Sequence, residues 1–257
     1  MTKPSEDGSV LDPVSRRSLP DAVFERICGT IFEGRLAPGD HLPAERELAK
    51  QLGVNRNALR EALKRLQQLR LVSIHPGGST RVLDFRTSAG LDLLGALLFS
   101  ASGALRLEAA RSLVELRSAL GPDIAARAAA RGDATDHAAL DRALDAMAAI
   151  PIANLVARQR QSMEVWRALV IASNNLAYRL AFNTMEHAWS AIQDLAAPAL
   201  RDELEDQAGY ERLVRTVQRG DVPAARRAAQ RMVEAGEASV MRVLSAATKK
   251  RPTKETR

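Results

Sequence analysis

Residues 42 to 82, LPAERELAKQLGVNRNALREALKRLQQLRLVSIHPGGSTRV, decide the fold of this chain. Pro43 suits a first helical turn, where its missing N–H costs little. Glu45 and Glu47 lie near the positive end of the helix dipole. Leu48, Ala49 and Leu52 form an apolar stripe. Gly53 ends the helix, because glycine accepts the left-handed conformation common just past a helix C-terminus. Val54 reads as an apolar plug in the turn, and Asn55 is a good N-cap for a second helix. Along that helix Leu59, Ala62, Leu63, Leu66 and Leu69 repeat at three and four residues and so share one face. Arg56, Arg60 and Lys64 repeat at four on another face, with Asn57 near the same leading edge.

Taken alone, the basic repeat fits an ordinary amphipathic helix with a solvated face. The residues after it argue otherwise. Leu71 to Ile74 is strand-like, Pro76-Gly77-Gly78 signals a turn, and Arg81 to Leu83 can return as a second strand. A short helix, a tight turn, a helix with a basic leading edge and a Gly-tipped hairpin make the order of a winged helix-turn-helix. Such a module places its second helix in the DNA major groove, where Arg can pair with guanine and Asn with adenine.

The rest of the chain is read outward from this stretch. A length of 257 residues allows two modest domains, and 46% hydrophobic residues can fill a core. Aromatics at 4% make that core aliphatic and alanine-rich. The single cysteine, Cys28, excludes an intrachain disulfide and a Cys-based zinc cluster. It falls in the apolar pattern Val23, Phe24, Ile27, Ile31, Phe32 and reads as a buried structural thiol. No apolar run approaches a membrane span, and the N-terminus has no signal pattern, so a cytoplasmic protein without a membrane partner is expected. Charge is uneven: residues 16–86 hold 13 Lys+Arg against 8 Asp+Glu, residues 87–248 hold 18 against 19, and residues 249–257 hold 5 against 1. Only the first of these segments and the tail have an electrostatic reason to meet a polyanion.

Residues 1–18 mix Pro, Ser, Gly and charge and read as a disordered lead. Leu19 to Leu36 reads as the first helix of the winged module, which occupies 19–86, and Asp84 to Ser88 as the join between domains. From 87 to 248 helices are predicted over Leu91–Ser100, Leu105–Arg131 with a kink at Gly121-Pro122, Ala134–Ala149, Asn154–Ala172, Leu176–Ala197, Arg201–Arg219 and Pro223–Ala246. Residues 249–257 are a basic tail, read as a solvated end, with contact to DNA or another acidic partner as the alternative. The fold class is therefore mainly α: a winged helix-turn-helix with a small β-hairpin wing, then an all-α antiparallel helical bundle.

Leu42-Pro43-Ala44-Glu45-Arg46-Glu47-Leu48-Ala49, then Gly53-Val54-Asn55-Arg56, then Leu59-Arg60-Glu61-Ala62-Leu63 resemble the N-terminal domain of GntR-superfamily transcription regulators, from about Leu19 to Val82. The resemblance implies that Arg46 contacts DNA from the first helix of the pair. It further implies that Asn55, Arg56, Asn57 and Arg60 carry recognition, with Lys64 on the same basic face, and that Gly77 at the wing tip approaches the minor groove. Asn55 and Asn57 stand where the family often has a small hydroxyl residue, which implies an operator preference of its own.

The later helices resemble the FCD effector domain of the FadR subgroup, on scattered signatures. These are Leu116-Arg117-x-x-Leu120 with Ala125-Ala126-x-Ala128-Ala129, then Leu169-x-x-Ala172-Ser173-x-Asn175 with Asn174 in place of a glycine, and Gly220-Asp221 followed by Ala224-Ala225. Many such domains hold a divalent metal with one Asp and three His. The resemblance puts Ser162, Trp166, Tyr210 and Met232 at those positions. None suits a cation that wants carboxylate or imidazole, so neither a metal nor another cofactor is expected. The loss points toward an acyl-CoA type of pocket, with Glu234 in a segment similar to that subgroup's final helix. Arg117 reads as an anchor for a carboxylate or phosphate, or as an ordinary helix salt-bridge residue. Trp166, Tyr210 and Met232 read as pocket lining or as space-filling core. Asn175 joins the candidate effector residues by its place in the family motif.

Three functions are open on these residues. The first is a homodimeric regulator on a near-palindromic operator in double-stranded DNA, modulated by a small-molecule effector, an acyl-CoA or organic acid. The second is a DNA-binding dimer that needs no effector. The third, an enzyme, lacks a nucleophile–base pair, a phosphate loop and a metal set, and is set aside.

Overall fold

The computed structural model describes residues 18–75, 79–100 and 103–249, which form two compact units dividing between Ala89 and Gly90. Residues 1–17 of the expected disordered lead, the wing tip and nearly all of the basic tail lie outside the described residues, and Ser18, the last residue of that lead, caps the first helix.

In the first unit α1 (Leu19–Phe32) starts at Ser18, whose hydroxyl accepts the Asp21 N–H. Val23, Phe24, Ile27, Cys28 and Ile31 point inward as one stripe. Burial pushes the Cys28 thiol up to about 12, as suits a packing thiol rather than a reactive one. The chain continues through β1 (His41–Leu42), α2 (Glu45–Leu52), α3 (Arg56–Gln68), β2 (Val72–Ile74), β3 (Thr80–Val82) and α4 (Phe85–Ser88). Pro43 lies just ahead of α2 rather than in its first turn, because Ala44 is the N-cap. Gly53 takes φ +66 and closes α2, a conformation L side chains resist.

The wing has three strands where the sequence predicts two. The order is β1-β3-β2, all antiparallel, with Val72 opposite Val82 and Leu42 opposite Thr80. This register buries Leu42, Val72 and Val82 and leaves Arg81 exposed. A two-residue strand is defined by its pairing, which local sequence does not show. The expected inter-domain join also differs. Asp84 caps α4 by accepting the Arg86 N–H at 3.1 Å, Ser88 Oγ donates to the Arg70 carbonyl at 2.9 Å, and the Phe85 ring meets Phe32 edge-on at 5.2 Å. These contacts bind the segment to the first unit.

Among the described residues, the second unit is all-helical apart from an isolated bridge between Phe99 and Leu105. A 3-10 turn at Leu91–Leu93 leads into the short α5 (Leu94–Leu97), where the sequence predicts one longer helix. Then come α6 (Leu107–Arg131), α7 (Ala134–Ala148), α8 (Leu155–Ala172), α9 (Leu176–Ser190), α10 (Gln193–Ala196), α11 (Arg201–Glu205), α12 (Gln207–Gln218) and α13 (Val222–Lys249). The helix predicted over Leu176–Ala197 breaks at Ala191–Ile192, and the one over Arg201–Arg219 breaks at Asp206. There the Asp206 side chain accepts the Gly209 N–H at 2.8 Å and starts α12 afresh.

α6 runs through Pro122 and packs along α13. Gly121 makes the approach possible, since a Cβ there would stand 3.0 Å from Val233 Cγ1 and 3.2 Å from the Trp166 ring. Asn174, at the family's glycine position, has φ +45, and asparagine is among the few side chains that tolerate it. Arg158, only 1% exposed, pairs with carbonyls rather than with a carboxylate. It donates to the carbonyls of Leu204 (2.6 Å), Met147 and Ile150 (both 3.1 Å) and to Gln207 Oε1 (3.0 Å). It thereby ties the C-terminal end of α7 to α8, α11 and α12, where the helix dipole favours a cation.

Candidate functional site

Each unit carries one candidate site. In the first, α2, the Gly53 turn and α3 present one basic edge. Asn55 caps α3, its Oδ1 accepting the Ala58 N–H at 2.8 Å. Its oxygen is therefore committed, and its amide N–H groups are left to meet a base or phosphate. The basic residues of α3 divide by task. Arg65, on the side facing α1, pairs with Asp21 at 2.6 Å and lies 4.1 Å over the Phe24 ring, which docks α3 on α1. Arg60 pairs with Glu45 of α2 at 2.8 Å. Arg46, Arg56, Asn57 and Lys64 are exposed and have no side-chain partner among the described residues. Three cations thus stand unneutralised on α2 and α3, with an exposed amide beside Arg56, an arrangement that a phosphate backbone attracts. Arg81 adds an exposed cation on β3. The alternation Thr80-Arg81-Val82, in-out-in, is the signal that could have found it. Gly77 lies outside the described residues.

In the second unit a cleft of about 40 Å³ opens among α6, α8 and α9. Trp166, Tyr178, Phe182 and Trp189 line it, with Met163 and Met185 beside them. Among the described residues, Arg117 is the one charged residue that lines it. The Arg117 guanidinium bonds to the carboxylate of Glu203 on α11, which is 3% exposed. Tyr210 donates its hydroxyl to the same carboxylate oxygen at 3.3 Å. Burial works against the Arg117 charge, but Glu203 outweighs it and the pKa rises. Burial, and then the Glu203 charge, push the Tyr210 hydroxyl up, so it stays a neutral donor.

The sequence-predicted effector residues separate here. Arg117 and Trp166 line the cleft. Ser162, Tyr210 and Met232 are buried beside it but do not line it, and Ser162 spends its hydroxyl on the Gln159 carbonyl at 2.7 Å. Asn175 is the N-cap of α9, accepting from Ala177 and Tyr178 N–H groups. Glu234 is exposed and accepts from Gln230 one turn earlier, at 2.8 Å. Sequence reasoning missed Glu203, 86 residues from Arg117, and the cleft face of α9. The α9 face had a readable signal, since Tyr178, Phe182, Met185 and Trp189 repeat at helical spacing.

The profile for bacterial regulatory proteins of the gntR family matches residues 19–82, and the FCD domain profile matches residues 112–235. The HTH-type transcriptional regulator Mce2R of Mycobacterium tuberculosis is 36% identical over 234 residues, covering 91% of this chain and 96% of that protein. This chain belongs to the GntR family, with an FCD domain. Within that family, the Fatty acid metabolism regulator protein of Enterobacter sp. is 32% identical over 179 residues, 65% of this chain and 68% of that one. The fold also matches a solved structure of Lar, described as controlling expression of the Listeria monocytogenes agr system. It has a TM-score of 0.58 at 18% identity and covers 89% of this chain and 99% of that one.

The metal of many FCD domains does not fit this GntR-family chain. The four positions that the resemblance assigns to it hold a serine hydroxyl already bonded to a carbonyl, an indole, a phenol kept protonated by burial, and a thioether. No three His, Cys, Asp or Glu side chains converge among the described residues. Nor is any helix of the described residues long and apolar enough to cross a membrane.

Proposed function

We propose that this GntR-family regulator works as a homodimer whose two winged modules read a near-palindromic operator, with DNA affinity set by a small molecule bound in the aromatic cleft of the FCD domain. The observation that carries the DNA reading is the unneutralised edge of Arg46, Arg56, Asn57 and Lys64. Two-fold symmetry of the protein would be mirrored in the spacing of two operator half-sites. The effector classes expected from the sequence are fatty acyl-CoAs and organic acids. An apolar acyl chain suits the aromatic and methionine lining, and regulation of fatty acid metabolism is what the names of several relatives state.

A second reading, a DNA-binding dimer that needs no effector, draws on the small volume of the cleft, about 40 Å³. One experiment separates the two. Operator sites are first selected from a randomised duplex library. DNA affinity and Tm are then measured against acyl-CoAs, free fatty acids and neutral esters and amides. The regulated reading expects a compound that raises Tm by mass action and shifts DNA affinity by about 5–150-fold. Selected sites without inverted repeats contradict the dimeric reading. A Tm unmoved by every compound supports the effector-free dimer.

A further inference from the structure

The chain has two tryptophans, two tyrosines and five phenylalanines. Both tryptophans, one tyrosine and one phenylalanine line the same cleft. Elsewhere the core is mostly alanine and aliphatic, with Phe24 and Tyr210 as buried aromatics outside the cleft, so four of nine aromatics in one place mark a surface shaped for an apolar guest. Met163 and Met185 are unbranched and adaptable, and their rotation lets the cleft widen around a chain.

The polar end of the cleft decides what headgroup that guest carries. A lone buried arginine would call for an anion. Arg117 already has one, because Glu203 is bonded to it. Gly236 of α13 is what lets this pair sit there: a Cβ would collide with Glu203 Oε2 and stand 3.2 Å from Arg117 Nη1. Two buried donors on the lining residues, Arg117 Nη1 and Trp166 Nε1, and one buried acceptor beside them, Glu203 Oε2, have no hydrogen-bond partner among the described residues. Buried polar atoms without partners are costly, so a neutral headgroup whose oxygen accepts from the two donors is favoured, and an amide can also donate to Glu203 Oε2. A second carboxylate would lose its hydration and find a cation already neutralised, with Glu203 repelling it from behind. The desolvation cost of the anion then outweighs its advantage as an acceptor.

We infer that the cleft takes a neutral, largely apolar molecule whose headgroup accepts hydrogen bonds, such as an amide, ester or thioester, and discriminates against free carboxylates through Glu203. This rests on reading the cleft as the effector site.

Octanamide and octanoate test the inference, since they share a chain and a carbonyl and differ in charge. Both tryptophans line the cleft, so intrinsic tryptophan emission of the full-length protein reports on it directly. At pH 8 octanamide is expected to change the emission saturably, with a Kd at least about tenfold below that of octanoate. In the isosteric variant Glu203→Gln the order is expected to reverse, because Arg117 becomes an uncompensated cation. Octanoate binding the wild-type protein as tightly as octanamide overturns the inference, as does a folded Glu203→Gln protein that keeps the wild-type order. If Glu203→Gln fails to fold by circular dichroism, the wild-type pair alone decides. No change in emission or Tm with either compound overturns the effector reading of the cleft and this inference together. Octanoate preference overturns the inference alone.

Discussion

Glu45 on α2 and Arg60 on α3 meet at 2.8 Å, joining the two helices of the DNA-reading motif through a pair exposed to solvent. The contact holds Arg60, a proposed recognition residue, in place and also partly neutralises it. Being exposed, the pair is worth only about 0–1 kcal/mol. Removal of Glu45 by Glu45→Ala should therefore leave Tm nearly unchanged. It should tighten non-specific DNA binding by a few fold and steepen its salt dependence, because one more cation is free. Weaker DNA binding by this variant would show that the pair is needed to aim Arg60.

Arg56→Ala and Lys64→Ala address cations that have no protein partner among the described residues. Each is expected to weaken binding and to lower the slope of log K against log salt by about one, if it meets a phosphate. A base contact by Arg56 would instead cost about 1–3 kcal/mol at a single operator position. Competition with single-position operator variants separates the two.

Arg158 tests how the effector unit is held. Arg158→Met removes the donors from three carbonyls and the Gln207 amide oxygen, all packed around a side chain that is 1% exposed. The loss should be about 3 kcal/mol, which for a unit of this size lowers Tm by roughly 6–12 °C. A loss under about 1 kcal/mol by thermal or urea unfolding would contradict the anchoring role.

Asp123 supplies a pH dependence of defined sign. The Tyr178 hydroxyl donates to it at 2.6 Å, and Arg226 and Arg127 pair with it at 2.5 and 2.6 Å. These contacts, the Tyr178 hydrogen bond foremost, hold its carboxyl well below the usual value of 3.8. A depressed folded pKa gives stability that is present above the unfolded value and is lost as pH falls toward the folded one. Asp123→Asn should thus cost about 1–2 kcal/mol at pH 7, with the gap to wild type closing below about pH 4. Urea midpoints measured from pH 7 to pH 3 track the gap directly, and a constant difference across that range would contradict the assignment.

The α2–α3 stretch was legible because its signals are local. Gly53, the Asn55 cap and the Leu59-Ala62-Leu63-Leu66 stripe each act within a few residues. β1 was not legible, since two residues become a strand only when β3 lies beside them. The break at Asp206 had a local cap signal that the helical periodicity on both sides masked. Of the groups at the aromatic cleft, Arg117 and Trp166 were named from the sequence, but Glu203 could not be. Its role arises from α11 packing against α6, across 86 residues. Asn175 and Glu234 raise the opposite difficulty. One is a cap and the other a surface acid, and position in a family motif did not separate those roles from ligand contact.

DNA reading by the basic edge is tested most directly by fluorescence anisotropy of a selected operator duplex, titrated with the full-length protein as salt rises from about 50 to about 200 mM. Binding on the order of nanomolar is predicted at the lower salt, falling by about 10³-fold or more at the higher, as several cation–phosphate contacts require. No binding, or an affinity that salt leaves unchanged, would contradict it.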